Sequence, residues 1–466
     1  MTVAPDWKCL APENTQLAET LEDRELALSP EDYSLLTDLY QLTMTACYVG
    51  KGLAQKRASF ELFVRQLPEG FGYLIAMGLE QALDYLEKLR FSPAQLEALR
   101  ATGIFQHAPA QFWSLLGESG FTGDVWAVPE GTAVFANEPL LRVEAPLWQA
   151  QIVETYLLNT LNYQTLIATR AARLRDVAGS EATLLEFGTR RAFSPQGALW
   201  AARAALAAGL DGTSNVLAAL KLGQKPSGTM AHAFVMALTA TSGSEEEAFK
   251  AFDEYFPGAP LLIDTYDTVA AAQMLLEKIE AGEMQLSGVR LDSGDLTSLS
   301  QKVRSLLPGI PIFASGDLDE WEIAKLKAAG ACIDGYGLGT KLVTGTPVGG
   351  VYKLVEIDGI PTMKQSSNKV TYPGRKQIFR CWEKGEIHSD RLGLISESLA
   401  GEEALLQLFL KQGKRVKLPA TLAEIRDRTS TSVASLPVTT RQLTQPQQIP
   451  VEISPALREL TEKTKR

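Results

Sequence analysis

The stretch that decides the fold runs PLLIDTYDTVAAAQMLLEKIEAG (260–282), GVRLDSGDLTSLSQKVRSLL (288–307), IPIFASGDLDEWEIAKLKAAG (310–330) and CIDGYGLGT (332–340). Each piece opens with a short apolar run and turns at Gly, Ser or Asp. The first three then continue with apolar residues at helical spacing. The same texture begins earlier, at LLEFGT (184–189). Asp264, Arg290, Ser315 and Gly337 mark successive strand ends, at intervals of 26, 25 and 22 residues. A strand–helix unit repeating at that period predicts a parallel sheet or barrel. The segment 183–345 is short beside a barrel of roughly 250 residues, so an irregular or incomplete βα-barrel is expected.

Outward from this core the pattern changes. Ser29-Pro30-Glu31-Asp32 carries a Ser N-cap, Pro at the first helical position and an acid at the third. It predicts a helix that carries Leu35, Leu36, Leu39, Leu42 and Ala46 and ends near Gly50-Lys51-Gly52. Residues 58–64 read as a strand, helical patterns follow to about 120, and 124–145 read as two or three short strands. Residues 147–178 are helical and 350–395 strand-like again. Helical and polar segments then run to Arg466, where Pro437, Pro446, Pro450 and Pro455 suit a surface-wrapping tail. The expected division is a polar lead-in (1–28), a flanking α+β domain formed from both chain ends (29–150 and 349–466), and the barrel (151–348).

The 466 residues suffice for two to four domains and a large core. With 45% hydrophobic and 21% charged residues the composition is globular. Forty-five Lys+Arg against 55 Asp+Glu give a net charge of −10. That charge argues against a general nucleic-acid binder or an anionic-membrane binder, so an anionic ligand must be held locally. Cys9, Cys47, Cys332 and Cys381 form no C-x-x-C pair, which fits free thiols in a reducing compartment. The first residues, MTVAPDWKCLAPENTQ, lack a leader pattern, and no run of 18 apolar residues occurs. The expectation is a soluble cytoplasmic protein.

The strand ends carry unusual polar residues: Glu186 to Arg191, Asp264 to Asp267, Arg290 to Asp295, Ser315 to Asp317 and Gly337 to Lys341. Any one such run also suits helix capping. Five in register point to an active site at the C-terminal ends of the strands. Ser315-Gly316-Asp317 and Gly337-Leu338-Gly339-Thr340 are expected on the last two turns, where Gly admits a close phosphate; a tight turn is the structural alternative. Neither a Walker A loop nor a G-x-G-x-x-G fingerprint is present. Arg190, Arg191 and Arg290 suit phosphate or carboxylate, or equally ion pairs between strand ends. His107 and His388 lie in polar surroundings without a signal. His232 follows Ser227-Gly228-Thr229 and would share the barrel mouth with Asp264 and Asp292. A carboxylate beside an imidazole is what nucleophilic or acid–base work needs.

Seven ordered markers resemble nicotinate phosphoribosyltransferase, of the type II phosphoribosyltransferases. They are LTDLYQLTM (36–44), EFGTRR (186–191), DGTSNV (211–216), GTMAHAF (228–234), DTYD (264–267), VRLDSGD (289–295) and GLGTKLVT (337–344). The resemblance implies ATP-coupled transfer of phosphoribose from phosphoribosyl pyrophosphate to nicotinate, giving nicotinate mononucleotide and pyrophosphate in NAD salvage. It also implies a homodimer with active sites at the interface. Carried onto this chain, it makes His232 the phosphorylated histidine, oriented by Asp264. Phe187 and Tyr40, the latter from the partner subunit, sandwich the pyridine. Thr229 and Arg290 contact nicotinate. Arg190 and Asp292 hold phosphoribosyl pyrophosphate, while Ser315, Gly316, Asp317, Gly337, Gly339 and Thr340 cradle its 5′-phosphate. Mg²⁺ is bound mainly through substrate phosphates and water, with no dedicated metal ligands. Ser214 stands where the related nicotinamide enzyme has an Asp, which implies a preference for the acid over the amide. The competing readings are a nicotinamide or quinolinate phosphoribosyltransferase, a non-catalytic phosphosugar- or nucleotide-sensing barrel, or an aldolase-type barrel. For the last, Lys341 is the nearest Schiff-base candidate.

Overall fold

The computed structural model describes residues 28–118, 120–365 and 371–465. Nearly all of the expected lead-in, with Cys9, lies outside them. The strand–helix series forms a six-stranded parallel sheet. In spatial order its strands are Gly212–Thr213, Thr183–Glu186, Gly335–Leu338, Ile312–Ala314, Val289–Leu291 and Leu261–Leu262. No ladder joins the two outer strands among the described residues, so the architecture observed is mixed α/β with an open parallel sheet.

The pleat sorts this sheet's side chains into two sets. Leu184, Ala314, Tyr336 and Leu338 point into one apolar core, and Val289, Leu291 and Ile312 into another. The crossover helices cover that face: Thr268–Glu280, Leu296–Leu306 and Glu320–Ala328. Asp267, Asp295 and Asp319 cap these three helices, each accepting from backbone N–H groups of the first turn. Leu185, Arg290, Phe313, Gly335 and Gly337 occupy the alternate positions, on the opposite face.

A seven-stranded antiparallel sheet interleaves both chain ends. Its order is Ile360–Pro361, Gly350–Ile357, Arg57–Val64, Pro139–Pro146, Asp124–Ala127, Gln407–Lys411 and Lys414–Arg415. A four-stranded sheet adds Glu402–Ala404, Lys376–Glu383, Glu386–Leu394 and Val451–Ile453. Glu61 ties the two sheets together. It accepts from the Lys376 backbone N–H at 2.9 Å and faces the Lys376 ammonium at 2.8 Å, both side chains being almost fully buried. Burial pushes that ammonium's pKa down and Glu61 opposes the shift.

Three expectations change. The helix foreseen from Ser29 is two elements, a 3-10 turn at Pro30–Asp32 and an α-helix at Leu39–Gly50. Asp38 breaks the run: it is extended, and its carboxylate accepts from the Thr155 hydroxyl at 2.8 Å. The segment read as helical or polar after 395 holds strands at 402–415 and at Val451–Ile453. Gly337 and Leu338 close a strand; the turn starts at Gly339. Among the described residues, no helix is long and apolar enough to cross a membrane.

Removing one partner of a buried ion pair leaves the other uncompensated. Glu61→Ala should therefore cost about 3–5 kcal/mol, read as a lower denaturant midpoint. An unchanged midpoint would contradict the role given to this pair.

Candidate active site

A pocket of about 450 Å³ opens at the C-terminal ends of the parallel strands. Its wall includes Phe187, Arg190, Arg191, Ser214, Thr229, Arg290, Asp292, Ser315, Gly316, Asp317, Gly337, Gly339 and Thr340. The strand ends thus bring together nearly every site residue foreseen from the sequence.

Backbone constraints shape the anion-facing end. Gly316 has φ +101°, and a Cβ there would come 2.3 Å from the Asp292 carbonyl oxygen. Only Gly permits that approach. Asp317 follows with φ +50°. The Ser315 hydroxyl donates to Asp292 Oδ1 at 2.5 Å, fixing the carboxylate across two neighbouring strands. At the other end, the Phe187 ring lies over Gly337, where a Cβ would come within 2.6 Å of it. The Phe187 backbone N–H donates to the Leu338 carbonyl at 2.7 Å. A flat aromatic wall therefore depends on a residue with no side chain.

Arg290 supplies the positive charge. Its Nε is buried and has no hydrogen-bond partner in the structure. Burial pushes its pKa down, the Asp292 and Asp264 carboxylates push it up, and Arg190 adds to the depression. Among the described residues, none of Arg190, Arg191 and Arg290 forms an ion pair with a carboxylate, so the strand-end ion-pair alternative is not what the structure has. A buried donor left unmade is expensive, and Arg290 itself lines a cavity that carries no carboxylate paired to it among the described residues. Ser214 is on the same wall, its backbone N–H donating to the Glu186 carbonyl at 2.9 Å.

His232 opens the helix His232–Ser242 at the pocket's edge, beside Ala231 of the wall. Its Nε2 lies 4.0 Å from Asp264 Oδ1 and 3.9 Å from Asp292 Oδ2. The contact of hydrogen-bond length is instead Nδ1 to the Thr265 hydroxyl, at 3.2 Å. Thr265, within the quoted DTYD marker, went unremarked as a candidate; it anchors the ring while Asp264 stands one step back. Asp264 Oδ2 accepts from the Asp292 backbone N–H at 2.7 Å and the Ser293 hydroxyl at 2.8 Å, and Oδ1 is buried without a partner. Glu245, also unforeseen, adds a third carboxyl near this group. Burial and then the Asp264 and Asp267 carboxylates push its pKa up from 4.5 to about 7.

The remaining candidates lie elsewhere. Tyr40 is 47% exposed on the helix Leu39–Gly50 and does not line its own chain's pocket. Lys341 faces Asp319 at 3.5 Å outside that pocket, which removes the Schiff-base geometry. His388 pairs with Glu383 at the surface and His107 is exposed; neither lines the pocket. Cys47, Cys332 and Cys381 are free.

Three family models match this chain. They are the nicotinate phosphoribosyltransferase N-terminal domain over 35–162, the nicotinate phosphoribosyltransferase family over 182–310, and the nicotinate phosphoribosyltransferase C-terminal domain over 394–461. The chain is 41% identical over 421 residues to nicotinate phosphoribosyltransferase pncB2 of Mycobacterium tuberculosis, covering 88% of this chain and 89% of that one. Against nicotinate phosphoribosyltransferase of Bacillus subtilis it is 42% identical over 400 residues, covering 82% and 80%. Among solved structures it resembles human nicotinic acid phosphoribosyltransferase, with TM-score 0.81, 31% identity and coverage of 92% and 100%. It also resembles nicotinate-nucleotide pyrophosphorylase from Pyrococcus furiosus, with TM-score 0.73, 27% identity and coverage of 89% and 99%.

Glu245 makes stability depend on pH. Below 4.5 its carboxyl is protonated in both the folded and unfolded chain. Between 4.5 and about 7 the unfolded chain releases this proton while the folded chain keeps it, so stability falls across that window and the loss is complete above it. Glu245→Gln should raise the melting temperature over wild type at pH 8, with the gap closing at pH 4.5. A gap independent of pH would contradict this reading.

Proposed function

The chain belongs to the nicotinate phosphoribosyltransferase family, and from that membership we propose that it transfers phosphoribose from phosphoribosyl pyrophosphate to nicotinate, coupled to ATP through a phosphohistidine at His232. The products are nicotinate mononucleotide and pyrophosphate, at the entry to NAD salvage. The observation that carries the reading is Arg290 lining the pocket, with no carboxylate paired to it among the described residues, in company with the Phe187 face and Ser214. That combination suits a flat aromatic ring bearing one carboxylate.

In this reading nicotinate stacks on Phe187 with its carboxylate toward Arg290, and Thr229, its hydroxyl held by the Pro260 carbonyl, bounds the ring. Arg190 and Asp292 hold phosphoribosyl pyrophosphate, and the Ser315–Asp317 and Gly337–Thr340 segments take its 5′-phosphate. The bond from the anomeric carbon to the pyrophosphate oxygen breaks with oxocarbenium character. The lone pair of the ring nitrogen forms the new carbon–nitrogen bond, so no general base is required. The chain's contribution is to hold both reactants in line and to meet the leaving charge with fixed guanidinium groups. Asp292, whose Oδ2 is not taken by Ser315, fits a hard cation shared with phosphate oxygens. Mg²⁺ bound there would neutralise charge on the leaving group.

His232 takes the γ-phosphoryl group. The Pγ–O bond to ADP breaks as the imidazole nitrogen's lone pair attacks, and later hydrolysis returns phosphate and the free ring. Thr265 holds Nδ1, so Nε2 is the nitrogen left toward the two carboxylates. A phosphoryl group added there brings more negative charge beside Asp264 and Asp292. That site then binds cations more strongly, a means of linking ATP use to the Mg²⁺–pyrophosphate complex. Tyr40 would complete the aromatic sandwich from a second copy in a homodimer. Its exposure beside exposed Leu36 and Leu39 supports this placement. The reading places the enzyme in the cytoplasm.

Two variants test the assignment. His232→Asn should lose ATP stimulation and fail to take up label from γ-labelled ATP, while slow ATP-independent turnover persists. Retention of ATP stimulation would contradict the phosphohistidine. Ser214→Asp places a like charge against the substrate carboxylate and should reduce kcat/KM for nicotinate at least about 10-fold. Unchanged nicotinate use would remove Ser214 from the account of selectivity.

A further inference from the structure

A second recess, of about 40 Å³, opens from the pocket and shares Phe187, Arg290 and Gly337 with it. Its floor is apolar: Leu185, Pro260 and Phe313. Thr229 offers it no free donor, because its hydroxyl is bonded to the Pro260 carbonyl. Phe313 pairs in register with Arg290 on one side and Gly335 on the other, so its ring stands on the ligand-facing side of the sheet. The ring is clamped edgewise: a Cβ on Gly335 would come 2.6 Å from it, and one on Gly288 2.9 Å. The strand Gly335–Leu338 and the approach to the strand Val289–Leu291 thus lack side chains where this ring lies.

From this geometry we infer that Phe313 determines which ring-substituted pyridine-3-carboxylates the enzyme accepts. The recess holds one small apolar substituent, and the Phe313 ring stops anything larger. The volume supports the limit. A single water needs roughly 10–15 Å³ on this measure, so 40 Å³ accommodates a methyl group and excludes a phenyl ring. The glycine clamp makes the stop firm, since the ring cannot retreat toward Gly288 or Gly335 without meeting backbone. The inference rests on the proposed nicotinate site and deepens it by naming what bounds the substrate's ring edge.

The test uses the full chain with nicotinate and its 4-, 5- and 6-methyl and phenyl derivatives. Calorimetry in the presence of phosphoribosyl pyrophosphate gives Kd, and nucleotide formation gives kcat/KM. At one ring carbon, methyl should bind within about 10-fold of nicotinate and phenyl about 100-fold or more weaker, in line with the discrimination a hydrophobic pocket achieves per added carbon. Phe313→Ala should narrow the phenyl-to-nicotinate gap at that carbon by about 10-fold, and Phe313→Trp should weaken the methyl compound by a similar factor. Should the Ala variant fail to fold, the Trp variant and the wild-type series still decide. Ratios that do not move between the variants, or phenyl derivatives bound as tightly as nicotinate by wild type, would overturn the inference. If nicotinate binds and no nucleotide forms, the proposed reaction fails while the Kd ratios still judge Phe313.

Discussion

The pocket depends on the seating of the Phe187 ring over Gly337. In a parallel strand every second residue faces the covering helices and the others face away. At Gly335 and Gly337 the outward set has no side chain, and the space is filled from the neighbouring strands by Phe313 and Phe187. Exchange either glycine for a residue with a Cβ and a ring must move, because the remaining contact would be 2.6 Å. The apolar clusters on the opposite face hold the strands in the positions this requires. Packing on one side of the sheet is therefore what makes a shaped, partly empty space on the other.

Charge is arranged against the global field. The chain carries a net −10, yet Arg190, Arg191 and Arg290 line one wall with no carboxylate paired to them among the described residues. Asp264 and Asp292 instead approach His232, and Glu245 feels the Asp264 and Asp267 carboxylates. The two sets meet at Asp292, which lines the pocket with the arginines, acts on the Arg290 guanidinium and lies 3.9 Å from His232.

The sequence exposed the parallel sheet because strand and helix periods alternate there without interruption, and each strand ends in residues too polar for a core. Asp264, Asp292 and Arg290 were recognisable for that reason. Other features depend on contacts between distant segments. Asp38 stands extended before the helix Leu39–Gly50 and accepts from Thr155, 117 residues away, and no local pattern encodes that partner. The strand Gln407–Lys411 exists because Asp124–Ala127 offers it an edge. Phe313 was recoverable in principle: in IPIFAS the alternation places Ile312 and Ala314 on one face, which leaves Phe313 on the other with Arg290. Thr265 acquires meaning only when its loop meets His232, and Glu245 only when its helix start comes near Asp264. Tyr40 lies outside its own chain's pocket, so only the resemblance gave it a role.

The most direct test of the account is a single assay. Purified protein receives phosphoribosyl pyrophosphate and Mg²⁺ with nicotinate, nicotinamide or quinolinate, each with and without ATP, and mononucleotide formation is followed. The account predicts nicotinate mononucleotide from nicotinate, formed faster with ATP, and little or no product from the other two. Equal use of nicotinamide, a product from quinolinate, or no product from nicotinate would contradict it.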